Sequence, residues 1–219
     1  MHNKANKQYK TTILEPKTKM PNIIVSDMNS ILNFAYHIIS SNSQEWSFKY
    51  NLLLLDIDDT CLSSKDQQQK NILRPVSPLV YSLYLLCKSL GWHVAFITAR
   101  IHTEQNEKTT VKQLLEMGFR WSHLFLMPEN YMHTDPNYSR YKRNARLQLA
   151  SMGYIIGLSI GDSWADHLLL EPIKYTEISK EEQKQHILAY ASNYMPNSAV
   201  AIFDFDLVKL SIKMPDAVY

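Results

Sequence analysis

The sequence contains little glycine, little cysteine and no long apolar run. Only 5 glycines occur among 219 residues, which disfavours a glycine-rich loop that binds phosphate through backbone amides. Two cysteines, Cys61 and Cys87, are too few for a disulfide framework. No segment approaches the roughly 20 apolar residues that span a bilayer, and the polar amino terminus lacks the apolar centre of a secretory signal. We therefore expect a cytoplasmic protein without a transmembrane segment, with specialised export, as of a bacterial effector, as the alternative.

An excess of charge of one sign is also lacking. The 23 basic and 21 acidic residues leave a net charge of +2, so we expect no nucleic-acid partner. The lysines are crowded only at the start, at positions 4, 7, 10, 17 and 19. We expect residues 1–22 to form a flexible basic arm, with an electrostatic contact to an acidic membrane or partner as the alternative. The oligomeric state stays open.

Strand and helix patterns alternate through the middle of the sequence. This order is typical of an α/β fold with a parallel sheet covered on both faces. The clearest helix has Ser77 as its N-cap, Pro78 in its first turn and Gly91 just past its end. We predict strands at 50–57, 92–98, 123–127, 154–160 and 199–204, and helices at 27–41, 78–90, 106–117 and 138–152.

These elements predict a Rossmann-like, doubly wound parallel sheet of about five strands. A chain of this length suits one domain over 23–219, with a helical extension at 23–48 and a catalytic core at 49–210. The amphipathic helix at 27–41 would cover the sheet or the site. Residues 61–76 are too few for a large cap domain, so we expect a fairly open site.

Reactive side chains occur just after the predicted strands. An open parallel sheet binds ligands outside the carboxyl ends of its strands, so residues there meet in one crevice. Singly, each has an ordinary explanation, because an aspartate after a strand commonly caps a helix or forms a turn. Their joint placement favours a function. The set comprises Asp56, Asp58, Thr60, Thr98, Ala99, Arg100, Lys142, Asp162 and Asp166.

The acidic members of this set indicate a divalent cation. Carboxylates that point into one crevice repel one another unless a cation lies between them. Magnesium binds carboxylate oxygens, backbone carbonyls and water, and it commonly shares them with a phosphate. We predict Mg²⁺ as the cofactor, with Asp56 and Asp162 as its main ligands. The backbone carbonyl of Asp58 completes the metal-binding set, and Asp166 braces it.

A phosphoryl group bound in this crevice would need donors for its oxygens. Hydroxyls, backbone amides and an ammonium group are suitable types. The predicted substrate-binding residues are Thr60, Thr98, Ala99, Arg100 and Lys142.

Two carboxylates of the first strand end have candidate catalytic roles. Asp56 is predicted to attack phosphorus and form an aspartyl-phosphate. Asp58 would protonate the leaving oxygen and later accept a proton from the hydrolytic water. A cysteine-based phosphatase is excluded, because neither cysteine is followed by arginine at the sixth position after it.

The spacing of these residues resembles the four motifs of the haloacid dehalogenase (HAD) superfamily. The motifs read Asp56-x-Asp58-x-Thr60, Thr98, Lys142 and Gly161-Asp162-x-x-x-Asp166. The resemblance implies a Rossmann-like core, Mg²⁺ dependence and the roles given above, with the nucleophile Asp56 retained.

Finer details resemble one branch of that superfamily, the class B acid phosphatases and plant vegetative storage proteins. The matching residues are Tyr141-Lys142, Arg146, Gly153-Tyr154 and the Gly-Asp-Ser-Trp-Ala-Asp run at 161–166. The likeness runs from about residue 51 to residue 167. The Asp-Phe-Asp run at 204–206 imitates the first motif, but valine stands where threonine is needed, and we interpret it as a strand end.

We therefore expect a Mg²⁺-dependent phosphomonoester hydrolase. Its substrate would be a phosphoprotein, phosphotyrosine included, or a small phosphomonoester such as a nucleotide or a sugar phosphate. Two alternatives stay open: a binding or storage module with little activity, and a phosphotransferase, which retains the same first-motif aspartates.

Overall fold

The computed structural model of the protein describes residues 12–13, 23–65, 73–133, 139–167, 198–205 and 208–215. The described helices are α1 (Met28–Ser41), α2 (Ser43–Lys49), α3 (Pro78–Ser89), α4 (Glu104–Glu116) and α5 (Ser139–Ser151), with 3-10 helices at Glu129–His133 and Trp164–Asp166. The described strands are β1 (Thr12–Ile13), β2 (Ile23–Ser26), β3 (Leu52–Leu55), β4 (His93–Ile101), β5 (His123–Met127), β6 (Ile156–Gly161), β7 (Ala199–Phe205) and β8 (Val208–Lys213).

The described strands form one sheet, in the order β1-β2-β7-β8-β6-β3-β4-β5. The neighbours from β8 through β6, β3 and β4 to β5 pair in parallel. Strands β7, β2 and β1 extend this parallel core by antiparallel pairing. The predicted α/β class with a Rossmann-like parallel core is confirmed, and the sheet is wider than the five strands expected.

The fifth parallel strand is not the segment predicted from the sequence. The segment predicted at 199–204 forms β7, which runs antiparallel to both of its neighbours, and the parallel partner of β6 is β8. The sequence of β8 alternates apolar and polar residues, which is a strand pattern that the prediction of five strands overlooks, and most of the strand is buried. Strands β7 and β8 form an antiparallel hairpin rather than two ends of a helical crossover.

Helices cover both faces of the central strands. Every side chain of β3 is buried, as expected of a parallel strand packed on both sides. Alternate leucines face different cores: Leu53 and Leu55 pack with α1 and α3, whereas Leu52 and Leu54 pack with α5. The helix predicted at 27–41 is α1, and it contacts α3, β2 and β7. The buried leucines of β3 end at Leu55, and the polar residue Asp56 follows at the carboxyl end of the strand.

Helix α3 illustrates how local signals set the element boundaries. The Ser77 hydroxyl accepts a hydrogen bond from the backbone N–H of Leu79, which makes it the predicted N-cap. The helix ends before Gly91, whose φ of 79° lies in the left-handed region. The chain then enters β4, which delivers Thr98, Ala99 and Arg100 to the site.

The amino-terminal region differs from its description as an arm and a helical extension. The predicted basic arm lies outside the described residues apart from Thr12–Ile13, which pairs with β2. The extension at 23–48 begins with a strand, β2, that the sequence analysis does not predict. The division of the chain into an arm and one domain stays a prediction. None of the described helices combines the length and apolar character needed to cross a membrane.

Candidate active site

Asp56 directly follows β3 at the carboxyl edge of the parallel strands. Its backbone N–H donates to the carbonyl oxygen of Ile160 at 3.0 Å, which continues the pairing of β3 with β6. Asp56 is buried, with 6% exposure. A carboxylate in this position has little access to water, so its charge needs a balancing group or a bound cation.

Lys142 of helix α5 is one balancing group. Its Nζ donates to Oδ1 of Asp56 at 2.8 Å and to Oδ1 of Asp166 at 2.5 Å. All three residues are buried. Helix α5 and the turn after β6 thus meet the end of β3 through one shared ammonium group.

A third carboxylate, that of Asp162, converges on the same place. One oxygen each from Asp56, Asp162 and Asp166 lies within 4.8 Å of the other two. Burial raises the pKa of Asp56 well above its usual range, Lys142 opposes this shift, and repulsion from Asp166 and Asp162 adds to it. Burial, and then repulsion from Asp166, raises the pKa of Asp162 to about 6. Burial and mutual repulsion therefore make ionisation of Asp56 and Asp162 less favourable than that of exposed carboxylates.

The cluster fits a divalent cation. Burial alone would lower the pKa of Lys142, but the carboxylates of Asp166 and Asp56 outweigh burial and raise that pKa above its ordinary value. One ammonium group thus faces three carboxylates, and negative charge remains in excess. An all-oxygen donor set with excess negative charge suits a hard ion such as Mg²⁺. The three aspartates could hold a metal ion.

The turn after β6 brings Asp162 and Asp166 together. Oδ2 of Asp166 accepts a hydrogen bond from the backbone N–H of Ser163 at 3.1 Å, and the Asp166 carbonyl accepts one from Arg146 Nη1 at 2.7 Å. Gly161 leaves the space that this arrangement needs, because a Cβ atom there would lie 2.5 Å from the Cβ, Cγ and Oδ2 atoms of Asp166. The close approach of the Asp166 side chain explains the glycine of this motif.

Asp58 faces an adjoining cleft of about 590 Å³. Its two carboxylate oxygens accept hydrogen bonds from Arg100 Nε at 2.8 Å and Nη2 at 2.7 Å. The next residue, Asp59, has a φ of 57°, and its carboxylate accepts hydrogen bonds from the backbone N–H and the hydroxyl of Ser64. A left-handed aspartate held by its own side chain is a typical turn former. This turn carries Asp58 at the edge of the cleft.

The remaining predicted substrate-binding residues divide into two buried threonines and two residues of the cleft. Thr98 is buried, and its Oγ1 accepts a hydrogen bond from the backbone N–H of Arg100 at 3.2 Å. Thr60 is also buried, and its hydroxyl has no hydrogen-bond partner in the part of the chain that the structure describes. A bound ligand could satisfy such a group. Ala99 and Arg100 line the cleft.

The structure gathers the predicted residues into two adjoining groups. Asp56, Lys142, Asp162 and Asp166 meet in the buried cluster, whereas Asp58 joins Arg100 at the cleft. The Asp58 carboxylate is not among the three that converge, so its place in the metal-binding set depends on its backbone carbonyl and stays a prediction. The catalytic and binding roles of all these residues stay predictions as well.

Sequence reasoning missed two residues that contact this site from helix α4. Arg100 Nη1 donates to Thr110 Oγ1 at 3.0 Å and to Gln113 Oε1 at 2.6 Å. Neither residue belongs to a motif, and a threonine or glutamine within a helix has no distinctive propensity. Their spacing of three residues, which places both on one helix face, was the available signal.

Comparison with known families agrees with this geometry. The sequence profile of the HAD superfamily, subfamily IIIB (acid phosphatase), matches residues 73–219, well over half of the chain. The chain belongs to this family. The resemblance to class B acid phosphatases is thereby confirmed, and the protein is an HAD-type phosphatase, a hydrolase of phosphoric monoesters. No curated protein sequence matches the chain.

The family match covers only part of the HAD phosphatase site. It includes Thr98, Lys142, Asp162 and Asp166, but it begins after the segment 56–60. The evidence that this segment belongs to the site is therefore geometric. Asp56 shares Lys142 with Asp166, two residues that lie within the matched range.

Proposed function

We propose that the protein is a Mg²⁺-dependent phosphomonoester hydrolase that forms an aspartyl-phosphate on Asp56. The observation that supports this most directly is the buried Lys142 ammonium group, which joins Asp56 to Asp166 beside Asp162. A nucleophilic carboxylate needs such positive charge, because it must approach a phosphate that is itself anionic.

The metal-binding residues would be Asp56, Asp162 and Asp166 through their carboxylates and Asp58 through its backbone carbonyl. Bound Mg²⁺ would supply Lewis-acid stabilisation of charge on the phosphoryl oxygens. The two raised carboxylate pKa values support this assignment, since a cation would relieve the repulsion that contributes to them.

The chain's own residues account for the chemical steps. An Asp56 oxygen forms a bond to phosphorus while the bond from phosphorus to the leaving oxygen breaks, and Asp58 donates a proton to that oxygen. Asp58 then accepts a proton from water, which attacks phosphorus and breaks the bond to Asp56, so that inorganic phosphate is released. Thr60, Thr98, Lys142 and the backbone around Ala99 would bind the phosphoryl oxygens.

The leaving group would face the cleft beside Asp58, where Arg100 also lies. This cleft has about 590 Å³ of space, and its lining combines aspartate, serine, threonine, asparagine and glutamine side chains with Ala99, Arg100 and Ile101. We propose a phosphomonoester on a protein, phosphotyrosine included, or on a small molecule as the substrate. Neither the storage-module alternative nor the phosphotransferase alternative is favoured by a specific contact among the described residues.

The experiment is to replace Asp56 by Asn and to measure turnover of p-nitrophenyl phosphate with Mg²⁺ and with a chelator. We expect the variant to lose activity by about three orders of magnitude or more, because the amide cannot act as the nucleophile. Asp27→Asn is the matched control, since the described side-chain hydrogen bonds of Asp27 are to Ser30 and cap helix α1, and asparagine is an equally good cap.

Intact-protein mass spectrometry provides the second measurement. A variant in which Asp58 is replaced by Asn should accumulate a phosphorylated form with an activated aryl phosphate, because its second step lacks the base. Turnover retained in Asp56→Asn, or equal rates in Mg²⁺ and chelator, would contradict the proposal.

A further inference from the structure

Arg100 holds Asp58 in one defined orientation. Two hydrogen bonds join the Nε and Nη2 atoms of Arg100 to the two carboxylate oxygens of Asp58, at 2.8 Å and 2.7 Å. A two-point contact between a planar guanidinium and a planar carboxylate fixes both the position and the plane of the carboxylate. The Asp58 side chain is 37% exposed, so crowding by neighbours alone would not fix it.

Helix α4 in turn holds Arg100. The third guanidinium nitrogen, Nη1, donates to Thr110 Oγ1 at 3.0 Å and to Gln113 Oε1 at 2.6 Å. The two residues lie three positions apart and share one helix face. Thr110 is buried, with 1% exposure, and a buried hydroxyl in a helix is stabilised by a partner of this kind. An unbroken series of hydrogen bonds therefore runs from α4 through Arg100 to Asp58.

We propose that helix α4 aims the Asp58 carboxyl group at the leaving oxygen through Arg100, with Thr110 and Gln113 as positioning residues. The inference rests on the proposed function, in which Asp58 transfers a proton to the oxygen that departs from phosphorus. In the acid form, one Asp58 oxygen carries the proton that passes to the leaving oxygen, and the other still accepts a hydrogen bond from Arg100, which keeps the carboxyl group in place. Proton transfer needs the acid within hydrogen-bond reach of the leaving oxygen, so a small rotation of the carboxyl group would slow it. Thr110 and Gln113 also line the cleft that would receive the leaving group.

The dependence on the leaving group separates positioning from simple structural support. An aryl phosphate with a good leaving group needs little protonation as its bond breaks, whereas an alkyl phosphate needs much more. Misplacement of Asp58 should therefore slow hydrolysis of the alkyl ester and spare that of the aryl ester. A general loss of folded protein would lower both rates by the same factor.

The experiment compares kcat/KM for p-nitrophenyl phosphate and for glycerol 2-phosphate in Mg²⁺. We expect Gln113→Leu and Thr110→Val to lower the alkyl rate by about tenfold or more and the aryl rate by about threefold or less. Thr110→Ser, which retains the hydroxyl, should restore the alkyl rate. Gln105→Leu is the matched control, because Gln105 lies on the same helix and its described bond is to Thr109.

A second comparison uses the Asp58→Ala variant as the background. Gln113→Leu should have no further selective effect there, because the group that it positions is gone. Equal losses on the two esters, a result no different from Gln105→Leu, or a selective loss that persists without Asp58 would overturn the inference and leave the proposed function intact. Wild-type protein that hydrolyses neither ester would overturn both.

Discussion

Strand β6 has a glycine near each of its ends, and the two make room for different kinds of side chain. At the amino end, a Cβ atom on Gly157 would lie 2.2 Å from the ring of Trp92 and 2.7 Å from Cβ of Tyr50. At the carboxyl end, a Cβ atom on Gly161 would lie 2.5 Å from three atoms of Asp166. Aromatic rings fill the space at the first end, and a charged side chain fills it at the second.

The two ends make opposite contributions to folding. The rings of Trp46, Tyr50 and Trp92 lie 5.1 to 6.4 Å apart, and burial of such rings stabilises the fold. At the other end, Asp56 and Lys142 are buried as charged groups, and removing charges from water opposes folding unless they are well paired. The stability of this sheet and its chemistry therefore depend on different ends of the same strands.

Adding a methyl group at each glycine should separate these contributions most strongly. Gly161→Ala should displace Asp166 and lower kcat/KM for p-nitrophenyl phosphate by about 10- to 100-fold, the usual effect of disturbing the surroundings of a metal site. Gly157→Ala should instead destabilise the fold by about 1–3 kcal/mol, because the methyl group overpacks the ring of Trp92.

Urea unfolding and steady-state kinetics on both variants check this prediction. Gly157→Ala should retain the wild-type kcat once the rate is corrected for the folded fraction. A large loss of kcat in Gly157→Ala with normal activity in Gly161→Ala would show that the division between the two ends is wrong.

The sheet also shows how far sequence patterns determine the fold. Apolar runs and helix caps predict β3, β4, β5, β6 and α3 closely, since these signals are local. They misplace the fifth parallel strand, because the order of β7 and β8 depends on pairing that residues 199–213 do not encode locally. Lys213 illustrates the problem, since it is buried in β8 at 5% exposure while its charge suggests a surface position.

At the carboxyl end, sequence spacing predicts which residues belong to the site. It does not predict which of them join the buried cluster and which lie at the cleft. Asp56, Lys142, Asp162 and Asp166 converge as expected because strand ends and the turn after β6 are fixed by topology. The separation of Asp58 from this cluster depends on the side-chain geometry of Arg100. A motif gives residue types and order, whereas hydrogen bonds such as these depend on rotamers and on α4, which no motif includes.

The metal-free protein should become more stable when one carboxylate at the carboxyl end of the strands is removed. The pKa of Asp162 is raised to about 6 from 3.8 by burial and by the charge of Asp166. We expect Asp162→Asn to stabilise the metal-free protein at pH 7 by about 1–3 kcal/mol. If the proposed Mg²⁺ site is correct, Mg²⁺ should stabilise the wild type but not this variant.

The raised pKa of Asp162 also predicts how stability changes with pH. Between the unfolded pKa of 3.8 and the folded pKa of about 6, the folded protein holds a proton on Asp162 that the unfolded chain has released. Wild-type stability in chelator should therefore fall across this window as the pH rises, and the benefit of Asp162→Asn should grow with it and then level off. Urea unfolding from pH 4 to 8, with chelator or with Mg²⁺, measures this. A variant less stable than the wild type in chelator at pH 7 would contradict the prediction.

The smallest expected effect comes from removing one hydroxyl at each end. Tyr154, at the amino end, shares a hydrogen bond of 2.8 Å with Nε2 of His123, whereas the buried Tyr141 hydroxyl near Lys142 has no partner among the described residues. Tyr154→Phe should therefore destabilise the protein by about 1 kcal/mol or less, and Tyr141→Phe should be neutral or slightly stabilising. Thermal unfolding of both variants in chelator measures the difference, with kcat/KM as the second readout. A loss of stability in Tyr141→Phe larger than that in Tyr154→Phe would mean that the Tyr141 hydroxyl has a partner in the folded protein. A loss of kcat/KM in Tyr141→Phe without a loss of stability would mean that this hydroxyl contacts the substrate.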